Sequence, residues 1–115
     1  MTIKRIAKYF SAVIILWVVI TALGPEKWQP RTGLGWEIDH VFGYFAITLI
    51  VCFAWPRPFV VGGILMVFAM LLEALQGLTP HRTPNLMAAL YGAGGALAAA
   101  VLVELFIRAR RWRAG

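Results

Sequence analysis

The 115-residue chain is 61% hydrophobic and 14% charged, with a mean hydropathy of +0.78, whereas soluble domains run at about 45–50% apolar. That balance excludes a water-soluble domain of this size and marks an integral membrane protein. The formal net charge of +6 is no nucleic-acid footprint either, because eight of the eleven Lys and Arg flank apolar runs at the termini or in loops.

In chain order, four apolar spans are expected, at about 6–24, 38–55, 59–78 and 86–107. The first follows Lys4, Arg5 and Lys8 and has the charged start of a signal peptide, but Trp17 and its β-branched run fit a retained span better. Residues 25–39 form the one long loop, broken by Pro25, Pro30, Gly33 and Gly35. The apolar part of the second span is short of the ~20 residues needed to cross the hydrocarbon, so its helix must borrow from 36–40 and draws Glu37, Asp39 and His40 to the membrane boundary. Pro56-Arg57-Pro58 makes a tight turn into the third span, since neither proline continues a helical ladder. The fourth span closes on Arg108, Arg110, Arg111 and Arg113.

The fold expected is therefore all-α and polytopic, one transmembrane four-helix domain. Positive charges divide eight against three between its two sides, which places both termini in the cytoplasm of a bacterial-type inner membrane. Tryptophans 55 and 112 near the inner boundary, and 28 and 36 near the outer one, fit aromatic belts. The single cysteine, Cys52, lies in an apolar run, so there is no disulfide framework, no metal motif and no expected cofactor.

The polar residues gather on the outer side. Glu73 and Gln76 are three apart on one face of the third span, where a charge costs about 2.5–3.5 kcal/mol and demands a partner. Arg82, just past the helix end, is the first candidate for that partner. On the second span Glu37, His40 and Tyr44 share a face, and the tight turn brings that face toward Glu73 and Gln76. Two readings compete. Either His40, Tyr44, Glu73, Gln76 and Arg82 form an outward polar site for a headgroup or for acid–base chemistry, or these groups, with His81, staple helix ends. Glu104 pairs with Arg108 one turn on and takes no such role.

The run 37–44, Glu-Ile-Asp-His-Val-Phe-Gly-Tyr, followed by Glu73-Ala74-Leu75-Gln76 and Pro80-His81-Arg82, resembles the VanZ-like family of small membrane proteins. The resemblance covers about Gly35 to Ala100. It implies a multi-helix membrane protein and brings no catalytic mechanism. The family pattern continues with an aspartate and an asparagine; here Ala88 and Gly92 stand in those positions.

Ala88 and Gly92 belong instead to a small-residue ladder with Ala96 and Ala100, flanked by Gly95 and Ala99. Such a stripe lets helix backbones approach closely, the main route to helix association in lipid. The expected function is a small non-enzymatic accessory protein that packs through its helices against a larger membrane assembly, respiratory or photosynthetic for instance. The alternative is binding of a lipid or envelope-precursor headgroup at the outward site, with Glu73 and His40 as possible acid–base groups. The lipid bilayer and other membrane chains are the expected partners, and nucleic acid is not.

Overall fold

The computed structural model describes residues 2–24, 33–78 and 85–114. They form four α-helices: α1 (Ile3–Leu23), α2 (Trp36–Ala54), α3 (Pro58–Gln76) and α4 (Leu86–Ala114). All four are long and apolar enough to cross a membrane, and the chain is a multi-pass membrane protein.

Local chemistry fixes where each helix starts. The Thr2 hydroxyl accepts the Arg5 N–H at 3.2 Å and caps α1. Gly35, at φ 119°, turns the chain into α2 through a conformation that favours glycine. Glu37 and Asp39 then sit in the first turn of α2, against the positive end of its dipole. Pro58 opens α3, where its missing N–H costs nothing. Asn85 caps α4: its side-chain oxygen accepts the Met87 N–H at 3.0 Å, and its carbonyl accepts the Ala89 N–H at 3.3 Å.

Compared with the expected spans, α1 starts three residues earlier and α2 two residues earlier, while α4 runs on from 107 to 114. Hydropathy alone ended α4 at its arginines. A helix has no reason to stop there, because cations in its last turn suit the negative end of the dipole.

Contacts set the directions. Lys8, near the start of α1, lies 5.6 Å over the Trp55 ring at the end of α2. Gln76, ending α3, meets Ala22 near the end of α1. Asn85 meets Glu73 near the end of α3, and Ala100 lies against Gly62 near its start, so α4 runs antiparallel to α3. The start of α1 and the end of α4 thus share one end of the bundle with Arg57, a basic end. The opposite end holds Glu37, Asp39 and Glu73.

The centre of the bundle is α4, which packs most extensively on α2 and α3; α1 leans on α2 and α3 and makes no close backbone approach to α4 among the described residues. In α3, Pro58, Val61, Gly62, Leu65, Ala69, Leu72, Glu73 and Gln76 are buried, a continuous stripe at helical spacing. The buried positions of α4 are all small: Ala88, Ala89, Gly92, Ala93, Gly95, Ala96, Ala99 and Ala100. The ladder expected from the sequence is thereby occupied within the chain.

The approach is close enough to need glycine. A Cβ on Gly95 would collide with the Val41 backbone carbonyl, and one on Gly62 would come within 2.6 Å of the Ala100 methyl. Glycines that face outward are different; a Cβ on Gly94 meets nothing within 4 Å.

Two stability predictions follow from this packing. Gly95→Leu presses on backbone that cannot rotate away and should cost at least the ~1–3 kcal/mol typical of overpacking, whereas Gly94→Ala should be neutral or gain up to about 1 kcal/mol from helix propensity. Unfolding in mixed detergent micelles measures both; equal losses would contradict the interdigitated seam. Ser11 is fully buried in α1, and its hydroxyl has no hydrogen-bond partner among the described residues. Ser11→Ala should therefore leave stability unchanged or raise it by about 1 kcal/mol, and a clear loss in the same assay would show that the hydroxyl is bonded.

Candidate functional site

The acidic end of the bundle is where the polar side chains of the spans come to lie. Glu73 occupies the last turn of α3 and is buried, 8% exposed. A carboxylate there must find donors or neutralise. The donor is the backbone N–H of Asn85, 2.7 Å from Oε1. That N–H precedes the first turn of α4, where amides have no partner inside the helix and the dipole is positive. Glu73 thus completes the start of α4, bonding a backbone amide in a charge-assisted way. Arg82, the partner expected from the sequence, and His81 lie outside the described residues.

Gln76, one turn further on, points to α1. Its Nε2 donates to the Ala22 carbonyl at 2.9 Å, a bond between residues 54 apart in sequence. The last turn of a helix has carbonyls without internal partners, so this amide ties the end of α1 to the end of α3.

Tyr44 enters from α2. Its ring lies against Gly92 of α4, and Ala69 of α3 lies beside the same glycine: a Cβ on Gly92 would be 2.8 Å from the tyrosine ring and 3.3 Å from the Ala69 methyl. Ala69 is one turn before Glu73 on the buried stripe of α3. Glycine at 92, where the resembled family has an asparagine, is what makes room for the ring. One turn further along α2, Thr48 donates its hydroxyl to the Tyr44 carbonyl at 2.7 Å and so disposes of its polarity within the helix.

His40 is held within its own helix. Its Nδ1 is 2.8 Å from the Trp36 carbonyl, which can only accept, so Nδ1 carries the proton. The Trp36 ring stands edge-on to the His40 ring at 6.2 Å and to the Tyr91 ring of α4 at 5.6 Å. This aromatic bracket joins the start of α2 to α4.

The five residues read as a site therefore divide. Tyr44 packs beside Gly92 of α4; Glu73 bonds the start of α4; Gln76 faces α1; His40 lies near the Trp36 bracket; Arg82 is outside the described residues. Among the described residues no three His, Cys, Asp or Glu side chains converge as a metal site would require. Sequence reasoning missed the two backbone partners, the Asn85 amide and the Ala22 carbonyl. Asn85 was readable, as asparagine before an apolar helical run is a capping signal; the Ala22 carbonyl carries no side-chain signal. At the basic end, Arg108 Nε bonds Glu104 Oε1 at 2.9 Å, one turn apart on exposed helix surface.

Compared with protein-family models, with curated proteins and with solved structures, the chain matches none.

Glu73→Leu strands the Asn85 N–H near hydrocarbon and should cost about 1–3 kcal/mol, while Glu73→Gln, which keeps an acceptor oxygen, should cost less. Detergent unfolding gives the energies, and hydrogen exchange at the Asn85 amide gives the cause: it should accelerate in the Leu variant. Unchanged exchange there would mean that Glu73 does not hold the start of α4.

Proposed function

We propose that this protein is a small, non-enzymatic accessory protein of a bacterial-type inner membrane, similar to the VanZ-like proteins, which packs laterally against a larger membrane assembly. The observation that carries this reading is the outward face of α4. Gly94 and Ala98, one turn apart, are both exposed there, and Leu90, Leu97 and Val101 are 41–45% exposed beside them. Gly94 and Ala98 lie about 160–200° round the helix from the buried seam at Ala96. A small-xxx-small pair flanked by branched apolar side chains is a surface that a neighbouring transmembrane helix can approach closely.

The polar end supports the same reading. The carboxylate of Glu73 and the amide of Gln76 both bond helix-end backbone groups, the stapling role considered from the sequence. The second reading, headgroup binding with acid–base chemistry, has one observation in its favour: the Tyr44 ring and Ala69, one turn before Glu73, both lie beside Gly92 in the interior. In either case the proposed orientation has both termini in the cytoplasm, which the eight-to-three charge distribution supports.

Purification in mild detergent tests the proposal. The chain should come with stoichiometric membrane partners, lose them in Gly94→Leu with its own fold intact, and keep them in His40→Ala. Gly92→Leu is the wrong probe, since it strikes Tyr44 inside the bundle. If Gly94→Leu keeps every partner while His40→Ala and Glu73→Gln abolish function in folded protein, the headgroup reading replaces this one. Reporter fusions at Gly115 and within 25–35 should report opposite sides; the same side for both would refute the topology.

A further inference from the structure

α4 has 29 residues against 19 in α3, about 43 Å against about 28 Å of helix. The two are aligned at the acidic end, where Asn85 meets Glu73, so the excess projects at the basic end. With Gly62 opposite Ala100, the start of α3 lies near the level of Glu104. Beyond that level α4 continues alone for about three turns, and nearly all its side chains are exposed.

That projection carries Arg108, Arg110, Arg111 and Arg113. From first to last they rise about 7.5 Å, and the headgroup layer is about 5–7 Å deep on each side of the hydrocarbon. At about 100° per residue they point in four directions spread around the axis, a girdle rather than a stripe. Glu104 takes one N–H of Arg108; Arg110 also lies 5.8 Å over the Phe106 ring. Among the described residues no carboxylate pairs with Arg110, Arg111 or Arg113. Trp112, 85% exposed, sits within the girdle, and Lys8 and Arg57 stand at the same end of the bundle.

We propose that this girdle binds the phosphates of anionic phospholipids, drawing such lipids out of the surrounding leaflet and around the protruding end of α4. Charge complementarity selects the occupant: several guanidiniums at phosphate depth, without acidic neighbours, match a negatively charged lipid surface. Arginine suits phosphate through its paired N–H donors. The surface is distinct from the outward face of α4 at Gly94, so the proposal stands whether or not a protein partner docks there.

The test uses the full chain in nanodiscs of phosphatidylcholine containing phosphatidylglycerol. Quenching of Trp112 fluorescence by brominated phosphatidylglycerol is compared with quenching by brominated phosphatidylcholine, with the Trp112→Phe chain as the blank. A preference of about tenfold for the anionic lipid is expected from several arginines at the surface. It should fall towards parity in the triple variant Arg110→Gln, Arg111→Gln, Arg113→Gln and in about 1 M salt, and persist in the corresponding triple Lys variant. Equal quenching in the parent chain overturns the proposal, as does a preference that survives the Gln changes or is lost in the Lys variant. Abolition by inorganic phosphate, but not by chloride at equal ionic strength, would assign the girdle to a soluble phosphate and overturn it too.

Discussion

Everything in this bundle depends on how near the backbone of α4 comes to its neighbours. Lipid offers no hydrophobic drive to press one apolar helix on another, so association rests on contact area and on the few polar bonds that hydrocarbon makes valuable. Glycine and alanine supply the contact area by removing the side chains that would hold the helices apart. The Val41 carbonyl at Gly95 and the Ala100 methyl at Gly62 are the points of nearest approach, and they fix α4 against both α2 and α3. Tyr44 fills the space left at Gly92. A large ring packed on a glycine of the facing helix fixes rotation as well as distance.

The polar bonds complete what the seam begins. Glu73 and Gln76 lie on the buried stripe of α3, yet each reaches out of it to the end of a different helix. Both bonds fall at helix termini because those are the places where backbone groups lack internal partners. In water such groups would be solvated at little cost; near the membrane they need side chains. A glutamate inside an apolar span thus has an architectural explanation that uses no ligand.

Much of this architecture was legible in the residues. Long apolar runs broken by Pro56-Arg57-Pro58 and by two polar loops leave little choice but four helices, because only helices satisfy their own backbone in lipid. The small-residue ladder of α4 was equally plain, although spacing alone could not say whether its occupant was the same chain or another. Partner choice was harder for Glu73 and His40. The bonds described for both run to main chain, and main-chain groups look alike in any sequence. The bracket of Trp36, His40 and Tyr91 joins two helices whose relative rotation is set by glycines elsewhere, so no local pattern announces it.

α1 makes no close backbone approach to α4 among the described residues and lies to the side of the trio formed by α2, α3 and α4. Its grip consists of one face on α2 and α3, the Gln76 amide at one end and the Lys8 cation over Trp55 at the other. α1 is therefore the helix that the least backbone packing holds to the rest of the bundle.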